Sequence, residues 1–320
     1  MLKIGIAGLG GIGRVHAATY AHLEDCTVGA AAEPSAAGQK TAAEFGITCY
    51  ANLADMLADS SIDVVDVCTP SFMHKNCVIQ ALESGRPVIC EKPLALNGAD
   101  AREMYALAEE KGLQLMVGHV LQFSPVSRLL HTLVESGEYG RALDAVFLRL
   151  SACPQWGRDG WLFDKAKSGL LPFDLHIHDL DLLISLFGIP EKYDVVSGGR
   201  EGLGYKEYYR FLYHYSNLNV CCEAAWYNAD IPFTATWRVY FEKAVALYDG
   251  VNATAYAFDQ APRQFDVEEK IKIPTGINIP PTGMFYEELG FFLNRIRQGR
   301  GPQYRKDQII GLIDILENIT

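Results

Sequence analysis

Over the first 120 residues the hydrophobic pattern switches between two rhythms. Short β-rich runs stand at 2–7, 26–32, 62–68, 87–90 and 113–117, and the run at 62–68 is almost continuously apolar. Between them lie stretches with helical spacing at 16–24, 36–45, 74–84 and 99–111, three of them followed at once by Gly46, Gly85 and Gly112. A glycine just past a helix is the usual left-handed stop. Strand and helix alternating at this spacing predict a parallel sheet covered on both faces, the doubly wound or Rossmann arrangement.

Beyond residue 120 the rhythm changes. One helix is expected at 125–136, and then long aromatic and β-branched runs follow at 142–150, 207–215, 220–227 and 234–240. Tyrosines recurring through 205–215 suit a pleated, half-buried surface. The expected second domain is therefore α+β, with a large, mainly antiparallel open-faced sheet, closed by helices near 284–298 and 307–318. Gly118 and Pro125 bracket a polar connection, so the expected domains are 1–120 and 121–320. A chain of 320 residues is long enough for two cores.

Composition narrows the partners. With 49% hydrophobic and 21% charged residues the chain reads as globular and soluble. A formal net charge of −11 argues against a nucleic-acid partner, which needs a basic stripe. No apolar run reaches membrane-spanning length, and the N-terminus enters a strand at once, so the expected compartment is the cytoplasm. The eight cysteines include no C-x-x-C pair and read as reduced, small hydrophobes.

Two stretches carry chemistry. The first is Gly8-Leu9-Gly10-Gly11-Ile12-Gly13, set between the first strand and the first helix. There the three spaced glycines would give a tight turn, close approach of backbone to a pyrophosphate, and close helix–strand packing. The helix N-terminus would face the phosphates with unpaired N–H groups. Glu33 ends the second strand, 20 residues past Gly13, where the ribose-binding acid of such a fold is expected. A carboxylate accepts ribose hydroxyls and repels a 2′-phosphate, so NAD is expected over NADP. A glycine-rich turn of another doubly wound protein is the plainer alternative. Lys92, in Glu91-Lys92-Pro93, follows the 87–90 strand at the edge where such sheets bind ligands. It could polarise a substrate oxygen or merely join a surface ion pair.

The second stretch is Asp174-Leu175-His176-Ile177-His178-Asp179-Leu180-Asp181. At α-helical spacing Asp174, His178, Asp181 and Ser185 share one face, and Phe173, Ile177, Leu180, Ile184 and Phe187 share another. Three readings compete for it. His178 could be a core histidine satisfied by an aspartate. Asp174, His176 and His178 could ligate a metal, although helical phase turns His176 away from the other two, and no metal is expected. Or His178 is a general base with Asp174 one turn earlier. The glycine loop and Lys92 favour the last.

Together these residues resemble the glucose–fructose oxidoreductase, inositol dehydrogenase and rhizopine catabolism protein family nearly end to end. The opening fingerprint, the turn Cys68-Thr69-Pro70 running to His74, the tripeptide Glu91-Lys92-Pro93, the stretch from Gly169 to Asp181 and the late helix from Phe285 all resemble its motifs. The resemblance implies that Lys92, Asp174 and His178 are catalytic. It also implies that Thr69, Pro70, His74, Glu91, Lys92 and His119 line the cofactor alongside Gly8, Gly10, Gly11, Ile12, Gly13 and Glu33. It further implies a sugar or cyclitol substrate touching Lys92, Asp174 and His178, and homo-oligomers built through the C-terminal sheet; Gln122 and Trp161 are expected to border the same substrate. Gln122 stands where members usually place arginine, His176 where they place a small residue, and Leu170-Leu171-Pro172 where glycines are common. The expected activity is hydride transfer between a polyol hydroxyl and NAD. The alternatives are a bound-NAD enzyme doing net epimerisation, elimination or glycoside cleavage, and a non-catalytic NAD-sensing regulator.

Overall fold

Local chemistry starts and stops the elements of the first unit. Side-chain oxygens of Ser35, Asn52 and Asn97 each accept a backbone N–H of the helix they precede, and Gly112 ends its helix at φ 66°. In chain order the elements are β1 (Leu2–Ala7), α1 (Gly11–Tyr20), β2 (Cys26–Ala32), α2 (Ala36–Glu44), β3 (Thr48–Tyr50), α3 (Leu53–Leu57), β4 (Val64–Val67), α4 (His74–Glu83), β5 (Val88–Glu91), α5 (Gly98–Lys111) and β6 (Leu115–Gly118). The computed structural model describes all residues except Gly157, Asn278 and Arg300, and except the side chains of Arg158 and Asp159.

All six strands run parallel in the order β3-β2-β1-β4-β5-β6. The order reverses between β1 and β4, and at that point the carboxyl ends of neighbouring strands diverge to leave a crevice. Gly8 follows β1 and Cys68-Thr69 follows β4, so the glycine loop sits at the reversal. The doubly wound expectation holds. Sequence reading passed over β3 and α3, which at three and five residues are too short for a periodic signal.

The rest of the chain runs α6 (Pro125–Ser136), β7 (Ala142–Ala152), α7 (Lys165–Ser168), α8 (Ile177–Phe187), β8 (Lys192–Gly198), β9 (Tyr208–Tyr215), β10 (Leu218–Tyr227), β11 (Thr234–Phe241), β12 (Ala244–Tyr248), β13 (Ala253–Ala257), β14 (Arg263–Phe265), α9 (Met284–Gln298) and α10 (Lys306–Ile319). Strands β7 to β14 form one sheet in the order β14-β13-β12-β11-β7-β10-β9-β8. Only the β7–β10 pair in it is parallel. Its strands alternate as a sheet packed on one face must: Tyr209, Phe211 and Tyr213 are buried, while Arg210 and Leu212 face outward.

The chain groups into two compact units, 1–123 with 269–310 and 124–268 with 311–320. The expected division was 1–120 and 121–320, and the main difference is the return of the chain to the first unit after residue 268. The reason lies in α9. Its Leu289, Phe292 and Leu293 are buried in one cluster with Ile4, Ile6, Tyr20, Ile89 and Phe123. At roughly 1.5–3 kcal/mol for each fully buried large apolar side chain, that face ties α9 to the first core.

Candidate functional site

The glycine loop is shaped by steric need. Gly8 has φ +91°, and a Cβ there would lie 3.0 Å from the Cys68 carbonyl oxygen. A Cβ on Gly13 would overlap the carbonyl oxygen of Gly8, so α1 can approach β1 this closely only with glycine at that position. Gly10, by contrast, has nothing within 4 Å of where a Cβ would stand. It is an exposed N-cap without a side-chain hydrogen bond, so the free N–H groups of α1 open onto space. Gly11 is exposed and Ile12 half-buried beside it.

Glu33 closes one side of this cradle. Its carboxylate accepts from the Leu9 N–H at 2.8 Å through Oε2 and from the Ser35 N–H at 2.7 Å through Oε1. Each oxygen keeps a second lone pair for another donor. The carboxylate is thus fixed against the loop, where sequence reasoning put a ribose acceptor. Open space at Gly10, an aimed helix end and a fixed carboxylate fit a dinucleotide.

The Thr69-Pro70 turn and the Glu91-Lys92-Pro93 tripeptide are joined through His74, the first residue of α4. Its Nδ1 lies 2.7 Å from the Pro93 carbonyl oxygen and its Nε2 2.8 Å from that of Thr69. The ring is 1% exposed and both its nitrogens face protein carbonyls, so it braces the two segments. Burial holds its pKa below the ordinary histidine value, against the pull of the two carbonyls. Lys92 is half-buried between buried neighbours Glu91 and Pro93, and the Lys92–Pro93 peptide is cis. His119 is buried just past β6, and Gln122 is half-buried in the 3₁₀ turn Val120–Phe123.

Behind the loop lies a buried polar cluster that sequence reasoning missed. His16 Nδ1 is 2.8 Å from Asp66 Oδ2 and its Nε2 is 3.1 Å from Glu91 Oε1. The Tyr20 hydroxyl donates to Asp66 Oδ2 at 2.9 Å, and the Cys68 thiol donates to Asp66 Oδ1 at 3.5 Å. The only hint in the sequence was an aspartate inside the apolar strand Val64-Val65-Asp66-Val67, which a buried carboxylate cannot occupy without partners. Burial resists a charge on His16, but its polar neighbours, the Asp66 carboxylate among them, outweigh it and hold its pKa well above the ordinary value. Burial likewise pushes the Cys68 and Tyr20 groups up, so both stay protonated donors.

In the second unit the Asp–His stretch is not one regular helix. Gly169 and Leu170 both take left-handed φ, 70° and 62°, and Pro172–His176 form a π-helical turn before α8 begins. A π turn carries an extra residue, so the phase drawn from ideal α spacing is displaced across it. From Ser168 to Ile184 every residue is buried except Asp174 and His178, which are half-exposed. Asp181, expected on the same polar face, is 2% exposed.

Two of the other polar groups of this stretch turn to the sheet. Asp179 takes a bidentate ion pair from Arg149 of β7, at 2.7 and 3.0 Å. His176 is fully buried, stacked on Phe211 with ring centroids 3.7 Å apart, and its Nε2 meets the Tyr213 hydroxyl at 2.7 Å. Burial, with the Arg149 charge second, lowers its pKa to about 3. It is a neutral packing group. Trp161 is half-buried in the 3₁₀ segment before α7. No helix among the described residues is long and apolar enough to cross a membrane, and all eight cysteines are free thiols.

Comparison with known proteins agrees with the fold. A levoglucosan dehydrogenase from Pseudarthrobacter phenanthrenivorans is 31% identical over 232 residues, covering 63% of this chain and 58% of that protein. A 2,7-anhydro-N-acetylneuraminate hydratase from Mediterraneibacter gnavus is 33% identical over 162 residues, covering 50% of this chain and 43% of its own. The chain thus spans about half the length of these curated relatives. A solved structure of levoglucosan dehydrogenase with NADH and levoglucosan superposes with a TM-score of 0.82 at 23% identity, covering 99% of this chain and 96% of that one. Residues 2–119 match the model of an oxidoreductase family with an NAD-binding Rossmann fold, and residues 127–247 match the C-terminal domain model of the same family. Residues 2–119 are therefore an NAD-binding Rossmann domain, and the chain belongs to the GFO/IDH/MocA oxidoreductase family.

Proposed function

We propose that this protein is an NAD-dependent dehydrogenase that oxidises a secondary hydroxyl of a sugar or cyclitol. The observation that carries the reading is the exposure pattern of the second unit. In seventeen residues of otherwise buried chain, Asp174 and His178 alone reach the surface, four positions apart. Exposing just these two groups from an apolar segment suits a proton acceptor and its orienting carboxylate.

When bound, NAD supplies the hydride acceptor. His178 takes the hydroxyl proton on an imidazole nitrogen, and Asp174 stabilises the cation so formed. Lys92 donates from Nζ to the same substrate oxygen and offsets the negative charge that develops there. Gly8, Gly10, Gly11, Ile12 and Gly13 would hold the pyrophosphate, and Glu33 the adenosine ribose. Because that carboxylate would repel a 2′-phosphate, NAD is the preferred form over NADP. Gln122 and Trp161 border the substrate. Free cysteines support a cytoplasmic setting, and the open face of the second sheet supports self-association there.

The test is a panel of inositols, aldoses and their acids with NAD or NADP, following reduced nicotinamide. His178→Ala should lose about 10²–10⁴-fold in rate while binding NAD normally. A variant that keeps more than about a tenth of the rate would refute the base assignment. The hydratase among the relatives supports a second reading, in which NAD stays bound and the net reaction is not redox. Under that reading the purified protein carries NAD, and turnover needs none added.

A further inference from the structure

Glu91 is buried immediately before Lys92, and its Oε2 accepts the Lys92 backbone N–H at 3.1 Å. The other oxygen, Oε1, faces His16 Nε2 at 3.1 Å, while His16 Nδ1 faces Asp66 at 2.8 Å. Two carboxylates therefore approach both ring nitrogens of one imidazole. A neutral ring has a single N–H and would turn a lone pair toward a carboxylate oxygen. An imidazolium gives every contact a donor: Nδ1–H and the Tyr20 hydroxyl to Asp66 Oδ2, the Cys68 thiol to Asp66 Oδ1, Nε2–H to Glu91 Oε1, and the Lys92 N–H to Glu91 Oε2.

The surroundings are arranged for this carboxylate. On β6, Gly118 leaves room that a Cβ would take, standing 2.9 Å from Glu91 Oε1. From α9, the Phe285 ring lies 5.6 Å from the His16 ring and screens it with carbon. The groups facing His16 are thus Tyr20 of its own helix, Asp66 and Cys68 at β4, Glu91 of β5 and Phe285 of α9. The directions of the shifts agree: His16 is raised, and Glu91 is lowered because the hydrogen bond and charge of His16 outweigh its burial.

We propose that His16 is a positioning residue for Lys92. Held as an imidazolium between Asp66 and Glu91, it fixes the Glu91 carboxylate, which in turn fixes the backbone from which the Lys92 side chain departs. The relay runs from the helix that carries the glycine loop, across the carboxyl ends of β4 and β5, to the site lysine. For its kinetic consequence this rests on the dehydrogenase reading.

Two variants test it, each leaving His16 in place. Gly118→Ala crowds Glu91 Oε1 without altering any ionisable group, and Glu91→Gln keeps the shape and removes the charge. In wild-type protein labelled with ¹⁵N-histidine, both His16 ring nitrogens should show imidazolium shifts from pH 6 to 9. In either variant the ring should titrate within that window. Acetylation of Lys92 by acetic anhydride, followed by peptide mass spectrometry, should change at least threefold in rate. The kcat of each variant should fall roughly 10–100-fold, as misplacement of a site group by about 1 Å does, and in Gly118→Ala the Kd for NAD should stay within about threefold of wild type. A neutral His16 in the wild type overturns the proposal. So does unchanged Lys92 acetylation, or an unchanged kcat, in Gly118→Ala. If the wild type turns over no polyol, the dehydrogenase reading fails, while the nitrogen shifts and the acetylation rates still decide whether His16 positions Lys92.

Discussion

His16 and His176 lie in different units, both fully buried, and their pKa values move in opposite directions. His176 is stacked on Phe211 with no carboxylate against its ring among the described residues, and its pKa falls from 6.5 to about 3. As pH drops below 6.5, the unfolded chain gains a proton that the folded chain refuses, so stability declines at up to about 1.4 kcal/mol per pH unit from this group alone. The stabilising effect is complete above the unfolded value and lost toward the folded one. His16 has the opposite sign. Its folded pKa is raised, so its contribution is complete below the unfolded value and is lost as pH climbs through the folded one. His176→Phe should therefore cost about 1–3 kcal/mol at pH 7, where the Tyr213 hydroxyl loses its partner. The same variant should lose less than wild type between pH 7 and pH 5. Denaturant melts at the two pH values check this, and parallel losses in both proteins would show that His176 does not carry the acid sensitivity.

At the scale of the element, the turn into α1 separates the jobs of its glycines. Gly10→Ala meets no atom within 4 Å, and Gly10 already holds a φ of −70°, so the fold should tolerate it. A methyl there would occupy the space where a pyrophosphate approaches the N–H groups, so NAD affinity should fall at least tenfold with the melting temperature little changed. Gly13→Ala drives a methyl into the Gly8 carbonyl and should lower the melting temperature as well. Calorimetry paired with NAD titration distinguishes the two, and equal losses of stability would refute the division of labour. The π turn before α8 shows a different economy. Leu170 stands at φ 62° where the family resemblance leads one to expect glycine, a backbone state costing a leucine about 1–2 kcal/mol. It is 6% exposed, so burial of its side chain offsets that cost.

Across the whole molecule, the first unit is discontinuous in sequence, made of 1–123 and 269–310. A fragment ending at residue 123 would lack α9 and leave Ile4, Tyr20 and Phe123 without their partners Leu289, Phe292 and Leu293. Such a fragment should give collapsed, poorly dispersed amide spectra, whereas 1–123 joined through a short linker to 269–310 should give a folded spectrum and bind NAD. A well-dispersed 1–123 fragment would show that α9 is dispensable to the first core.

Some features follow from the chain alone, because neighbours a few residues apart encode them. The helix at 284–298, the helix at 125–136 and the long strands at 142, 208, 218 and 234 follow from periodicity, and the turn into α1 follows from its glycines. The place of Glu33 beside the loop was legible for the same reason, since a βαβ unit fixes its distance from the loop. Strands β12 to β14 were not legible, being runs of five, five and three residues. Neither was the π turn, since one extra residue hides inside α-like spacing. Tertiary structure decided the pairings between distant positions. His16 meets Asp66 and Glu91 across 50 and 75 residues, and Arg149 meets Asp179 across 30. A histidine and an aspartate in sequence state only that buried charge needs a partner. Packing alone determines which partner arrives, and so it made His176 a neutral spacer, His16 a cation, and Asp174 and His178 the two half-exposed groups of their segment.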